Sequence, residues 1–521
     1  MKRSHRRDAS QRAPGSGRAY ASVAGFGLVL GPVLAIATYW VLPESYLGSN
    51  GELATFSPAG RATAAIAIWM ATWWFTEAIG IYATALLPIA VFPIFGVSSI
   101  RSAAEPYANE MIFLFMGGFM LALAMQRWGL HRRIALRTLR LVGDRPANMV
   151  GGFMVISAVL SMWVSNTATA VMLLPVALSV IDLMDRRVDA SDSSNVSNAQ
   201  TANTDHLAVA LLLGVAYGAS IGGIATPIGS PPNLFLISFA KNELGVEISF
   251  VRWMTITLPL VLLFIPVCWW LLTRVIHPVS RTPLEGGSEL VAREFSALGP
   301  PNRGEKITFG VFMITCTLWV TRPLLAGLEV FGSHPLAGLS DAGIAVLAAL
   351  VLFVAPADRH QSVLDWSTAS RLPWGILVLF GGGLSLASAI RTNGVGEWLG
   401  AQAGSLVGLP TLAVVIGVVA CMVFLTELTS NTASTAALVP ILAAVAPGLG
   451  IEPFQLIVPA TIAASCAFML PVATPPNAVI FGSERIELQQ MIRAGLWLNF
   501  VAIAMITFFT YAVIVPVLLG P

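Results

Sequence analysis

Strongly apolar runs of about 20 residues recur from residue 21 to residue 518, and a run of that length is what a helix needs to cross the hydrocarbon core of a bilayer. Inside that core every backbone N–H and C=O must find a partner within the protein, which leaves helices and closed barrels as the only spanning structures. The short alternating apolar and polar segments of a barrel strand are missing from this sequence. The fold class is therefore all-α and polytopic. Composition agrees, since 56% of the 521 residues are hydrophobic, 11% are charged and mean hydropathy is +0.77, which excludes an ordinary soluble globule.

Spans fall near 21–42, 61–79, 81–97, 111–130, 206–240, 252–275, 307–326, 340–356, 373–391, 452–482 and 491–518, which makes eleven expected crossings. Two further apolar stretches, 147–184 and 410–448, are too long for one span and carry polar residues at their middle. Each is expected to be a re-entrant hairpin, because non-helical backbone at membrane depth is tolerated where it is buried or lines a cavity. With that layout, 23 of the 29 Lys and Arg fall on the side of the basic N-terminal tail. The positive-inside rule then puts the N-terminus in the cytoplasm and the C-terminus outside, in a plasma (inner) membrane. The tail, MKRSHRRDASQRAPGSGR, has no clean cleavage site after it and reads as a cytoplasmic segment.

The polar centres of the two hairpins repeat one another. SMWVSNTATAVMLLP (161–175) gathers Ser161, Ser165, Asn166, Thr167 and Thr169, and TELTSNTASTAALVP (426–440) restates it 265 residues later. At the same offset LFMGGFMLALAMQRWG (114–129) matches LFGGGLSLASAIRTNG (379–394), and downstream ATPIGSPPN (225–233) matches LPVATPPN (470–477). The downstream offset is 244, the difference being accounted for by a polar insert at 186–206. The expected domain plan is a tail (1–20), a first helix and loop (21–60), repeat 1 (61–276), a cytoplasmic linker (277–306) and repeat 2 (307–521). Each repeat holds an odd number of crossings, so the two must be inverted, as in secondary transporters whose site lies where the repeats meet.

A lone Ser-Asn-Thr in a membrane helix is commonly interhelical glue, and a lone Pro-Pro-Asn is commonly a kink. Both motifs in both halves point instead to a site. Helix N-termini exposed at the breaks offer N–H groups to a carboxylate or sulfate. Carbonyls freed near Gly229, Pro231, Ala473 and Pro475, with the Ser, Thr and Asn oxygens, suit a hard cation such as Na⁺. Glu427, three residues before Ser430, reads as hydrogen-bonded structure ahead of a cation ligand or proton acceptor. The Trp pairs at 73–74 and 269–270 are expected in the interfacial belt.

On these motifs the chain resembles the divalent anion/sodium symporter family, whose second-half signature is matched by SCAFMLPVATPPNAVI (465–480), with Ile480 where the pattern prefers Val. The resemblance runs from about residue 25 to the end, leaving out the tail and the insert. It implies an elevator-type homodimer that carries a small dianion, a dicarboxylate, citrate or sulfate, with Na⁺. It also implies one sodium site per repeat: Ser161, Ser165, Asn166 and Gly229 in the first, Thr426, Ser430, Asn431 and Ala473 in the second. Substrate would meet Ser165, Asn166, Thr167, Ser230, Ser430, Asn431, Thr432, Thr474 and Pro475. Exchangers of the family tend to place a basic residue near the sodium positions, and 146–185 and 410–482 contain none, which favours a symporter.

Rival classes fare worse. No HExxH and no Ser/His arrangement lies within the apolar segments, so an intramembrane hydrolase has no machinery. A channel would want a continuous polar pore in place of two tips closing one site. The charges sit at helix ends, with no basic face for nucleic acid. The four cysteines are scattered through apolar segments without CxxC spacing and read as buried thiols.

Overall fold

The computed structural model describes residues 16–48, 52–190, 198–280, 282, 286–329, 333–403 and 408–519. It is helical throughout, apart from two three-residue strands, Ser45–Leu47 and Leu53–Thr55, that pair antiparallel after the first helix, Ser16–Val41. Seven consecutive helices of the first half, from Glu110–Arg127 to Phe250–Trp270, have counterparts in the same order in the second, from Trp374–Thr392 to Leu488–Phe509. Gly129 (φ 69°) and Gly394 (φ 73°), 265 residues apart, both end the first of these helices in the left-handed conformation.

Among the described residues, eight helices are long and apolar enough to span, and six apolar helices of 10–17 residues are shorter. The expected span 206–240 is two helices, Asn198–Gly222 and Pro231–Leu244, and 452–482 likewise divides into Phe454–Ala464 and Pro475–Phe481. Hydropathy is blind to these breaks, whereas the Pro-Pro pairs are not. Proline lacks an N–H and disfavours helix in the residue before it, yet suits the first position of a new helix. Expected span 81–97 is also split, into Ile81–Thr84 and Leu87–Ile94.

Both long apolar stretches are paired helices around a short turn: Pro146–Ser161 with Asn166–Ala190, and Thr411–Thr426 with Asn431–Val445. The first arm is held by a glycine stripe on Asn198–Gly222. A Cβ on Gly218 would lie 2.6 Å from the Met154 carbonyl oxygen, and one on Gly222 2.3 Å from that of Ala158. Such backbone-to-backbone approach is open only to glycine, as in small-xxx-small packing of membrane helices. It brings the end of Asn198–Gly222 beside the tip of the hairpin.

The linker is more structured than a loop. Helix Gly287–Ala297 packs on Leu130–Leu139, with Arg132 paired to Glu294 at 3.0 Å, Arg133 paired to the buried Glu305 and Arg140 over the Phe295 ring. Helices enter the 186–206 insert from both sides, to Ala190 and from Asn198; residues 191–197 lie outside the described ones. Of the tryptophans expected in the interfacial belt, Trp270 is exposed, whereas Trp74 is fully buried and donates to the Ile81 carbonyl at 3.1 Å.

Candidate functional site

The first tip is assembled from four segments. Ser161, fully buried at the end of its arm, donates its hydroxyl to Asn166 Oδ1 across the turn. Ser165 caps the second arm by accepting from Ala168 N–H at 3.3 Å. Against this tip lies the break 223–230. A Cβ built on Gly223 would meet Asn166 Oδ1 at 2.7 Å and the Gly229 carbonyl oxygen at 3.0 Å, and one on Gly229 would meet the Gly223 carbonyl at 2.6 Å. Ser161 therefore touches Asn166, Asn166 lies against Gly223, and Gly223 lies against Gly229, which brings hydroxyl, amide and carbonyl oxygens together. Thr226 ties break to tip by donating to the Met162 carbonyl, while accepting from Gly229 N–H at 3.1 Å. Trp163, in the turn itself, stacks on Phe250 and Trp319.

The amide of each Pro-Pro-Asn motif fixes its break by the same pattern. Asn233 Nδ2 donates to the carbonyls of Gly223 (2.9 Å) and Thr226 (2.8 Å). Asn477 Nδ2 donates to those of Ala467 (3.2 Å) and Leu470 (3.1 Å), the residues at identical spacing in the second half. Unwound backbone in a membrane must be satisfied internally, and these amides supply part of that.

The second tip uses other means. Thr426 is buried and donates to the Val423 carbonyl at 3.2 Å, Ser430 caps the arm through Ala433 N–H, and Thr432 is buried. Where the first tip has Met162, the second has Glu427. Its carboxyl oxygens accept from three successive backbone N–H groups, Phe468 (2.7 Å), Met469 (2.9 Å) and Leu470 (3.0 Å), and from Asn499 Nδ2 at 2.8 Å. Asn431 Oδ1, buried and without a hydrogen-bond partner among the described residues, is the kind of orphaned oxygen a hard cation would satisfy.

Two of the helix starts lie side by side. Phe235 and Ala436, each near the start of its helix, both meet Gly383, so Pro231–Leu244 and Asn431–Val445 begin side by side. Pro475–Phe481 packs on Asn166–Ala190, and just beyond its end Arg485 pairs with Asp182 at 2.8 Å, so these two also run in parallel. Ser230 and Ser465 hydroxyls, 3.2 Å apart, and Tyr217 donating to the Phe468 carbonyl at 2.8 Å join one break to the other. Helix N-termini carry partial positive charge and free N–H groups, an anion-attracting arrangement.

Access is unequal. A cavity of about 810 Å³ reaches Ser165 and Thr167 from the arginine-rich side. A second, of about 620 Å³, is lined by Glu243, Arg391 and Pro440 among others. Neither of these two cavities is lined by Ser430, Asn431, Thr432, Ala473, Thr474 or Pro475. Sequence reasoning missed Gly223, Ser465 and Trp163, and it named the motifs of Asn233 and Asn477 without giving these two amides a role. The Gly214, Gly218, Gly222 spacing was the available signal for the first of these.

The family model described as "Sodium:sulfate symporter transmembrane region" matches residues 32–518. The chain belongs to the sodium:sulfate symporter family. Curated relatives named sodium-dependent dicarboxylate transporter SdcS are 37% identical over 495 residues in Staphylococcus saprophyticus, covering 94% of this chain and 92% of the relative. In Staphylococcus aureus strain USA300 the figures are 39% over 498 residues, 95% and 92%. Two solved transporters share the fold: Alcanivorax borkumensis YdaH, with TM-score 0.55 at 13% identity over 97% of this chain and 99% of the other, and Neisseria gonorrhoeae MtrF, with TM-score 0.58 at 12% over 95% and 96%. Membership in the sodium:sulfate symporter family makes this chain a sodium-coupled membrane transporter and not an enzyme.

Proposed function

We propose that the protein imports a C4-dicarboxylate such as succinate with Na⁺, by an elevator-type movement of the two hairpins against a scaffold, as a homodimer in the inner membrane with its N-terminus cytoplasmic and C-terminus outside. The observation that carries this reading is the contact of Ser161, Asn166, Gly223 and Gly229, a cluster of neutral oxygens with no cation in its way. One Na⁺ would be held there with Ser165, and another by Thr426, Ser430, Asn431 and the Ala473 region. The substrate carboxylates would meet Thr167, Thr432 and the amides of Asn166 and Asn431, with Ser230, Thr474 and Pro475 shaping the space. The chemistry fits, since hard oxygens suit Na⁺ and helix N-termini suit a dianion. The SdcS names support a dicarboxylate.

The test is uptake of labelled succinate into proteoliposomes under an inward Na⁺ gradient. Uptake equally fast with K⁺ and no Na⁺ would overturn the reading. The family description favours sulfate as a second reading. Competition by succinate, citrate and sulfate against one labelled substrate separates them.

Asn166→Ala and Asn431→Ala each remove an amide able to face a cation with its oxygen and a carboxylate with its N–H₂. Loss of one charge-assisted hydrogen bond is worth roughly 1.5–3 kcal/mol, about one to two decades in affinity. Both ligands are expected to weaken together in each variant, because linkage is reciprocal at equilibrium. Titrating succinate at several Na⁺ concentrations checks this; wild-type affinities for both would remove the residue from the site.

A further inference from the structure

The two cavities are related by the repeat. Ala122, Gln126, Pro175 and Ser179 line the larger one, and their counterparts 265 residues on, Ala387, Arg391, Pro440 and Ala444, line the smaller. The likeness ends at the charges and at the floor. In the smaller cavity the single arginine, Arg391, is closed by an ion pair with Glu243, and the space stops short of Asn431. In the larger, the space continues to Ser165 and Thr167, and its mouth carries Arg132 and Arg371.

The charged and titratable groups lining the larger cavity are four. Arg132 is held by Glu294 of the linker helix at 3.0 Å. His131 Nδ1 donates to the Met125 carbonyl at 3.1 Å, and burial, with the Arg132 charge adding to it, lowers the imidazole below its usual range, which disfavours its charged form. Arg371 is exposed and takes part in no ion pair among the described residues. One uncompensated guanidinium thus faces a path that leads to the first tip.

We infer that this mouth is a second, outer anion station, in which Arg371 holds the substrate dianion on its way between the Ser165–Thr167 floor and the cytoplasm, and Glu294 tunes it by occupying Arg132. The station rests on the proposed transport of a small dianion and adds a step to it. A guanidinium offers a planar fork that matches a carboxylate or a sulfate equally well. A positively lined cleft with low-dielectric walls raises the local concentration of anions and does so less at high salt. The volume, near the top of the ~300–1,000 Å³ range of ligand sites, leaves room for a dianion at the mouth as well as at the floor. Because the station lies on one side only, its effect is sided.

The experiment uses the full-length protein in right-side-out and inside-out membrane vesicles, with labelled succinate and, in parallel, labelled sulfate as probes. For Arg371→Gln the ratio of cytoplasmic to external half-saturation is expected to rise about fivefold, as loss of one partly screened charge contact does. Arg371→Lys should restore most of the ratio, Glu294→Gln should lower it, and raising ionic strength should shrink the difference between wild type and Arg371→Gln. A ratio unchanged in Arg371→Gln, or a ratio that Arg371→Lys leaves as high as Arg371→Gln does, overturns the station. Failure of the transport reading is distinct from this, since the wild type would then show no sodium-dependent uptake of either probe from either side.

Discussion

Gly223→Ala is expected to lower sodium affinity by about one to two decades, as overpacking costing roughly 1–3 kcal/mol would. The added methyl would sit 2.7 Å from Asn166 Oδ1, 3.0 Å from Asn166 Nδ2 and 3.0 Å from the Gly229 carbonyl oxygen. None of these can retreat freely. Asn166 is engaged by Ser161, and Gly229 is held by its N–H to Thr226. The carbonyl of Gly223 is itself fixed by Asn233 at 2.9 Å, so the break cannot shift as a unit without losing that bond. The methyl would thus displace the oxygens proposed to surround the cation while leaving their number unchanged. Sodium dependence of succinate uptake measures the loss. Gly118→Ala is the control: the nearest neighbours of its methyl would be atoms of the Ile228 side chain, from 3.3 Å, on the same broken segment. A sodium half-saturation in Gly223→Ala equal to that of Gly118→Ala would detach the contact from sodium binding.

Much of the geometry of the candidate site was legible because its motifs occur twice. The Ser-Asn-Thr and Pro-Pro-Asn motifs are polar where a bilayer disfavours polarity, and their repetition marked both tips and both breaks. Periodicity and hydropathy read apolar length well, and so they placed Glu110–Arg127, Phe250–Trp270 and Trp374–Thr392 close to their observed limits. They failed where apolarity continues through an unwound backbone, at 223–230 and 465–474. There the deciding groups are carbonyls and N–H groups, which every residue possesses and no hydropathy scale distinguishes. Gly223 and Ser465 were missed for a related reason, since their importance lies in what another segment does beside them. Trp74 was misplaced because a tryptophan near the end of an apolar run serves a membrane interface or a core equally well, and only packing decides.

The one charged residue of the two tip motifs, Glu427, which stands where the first half has Met162, leads to the second large effect. Glu427→Gln is expected to destabilise the protein even without sodium or substrate. The carboxyl group accepts from three consecutive N–H groups of the second break and from Asn499, and Gln offers one carbonyl oxygen to the same donors while turning an N–H₂ toward them. In the better of its two orientations the amide oxygen keeps the bonds from Phe468, Met469 and Asn499 and loses the Leu470 N–H, while the new N–H₂ becomes a second buried donor without an acceptor, at about 1–3 kcal/mol each, or roughly 2–6 kcal/mol together. That is a large part of a typical folding stability of ~5–15 kcal/mol. The first half shows why the cost is particular to this side: its tip and break are joined by the neutral bond from Thr226 to the Met162 carbonyl, and the residue matching Thr226 is Leu470, which has no hydroxyl to give. Glu427 replaces that lost bond with a carboxyl group. A residue acting here as a cation ligand alone would give a different result, namely a variant as heat-stable as wild type in sodium-free buffer that sodium no longer stabilises. Thermal unfolding in detergent, with and without Na⁺, separates the two. A melting temperature in sodium-free buffer lowered by Glu427→Gln, and lowered less by Asn499→Ala, which leaves the three backbone bonds in place, is the expected outcome; an unchanged one would show that the second break holds its shape without the carboxyl group.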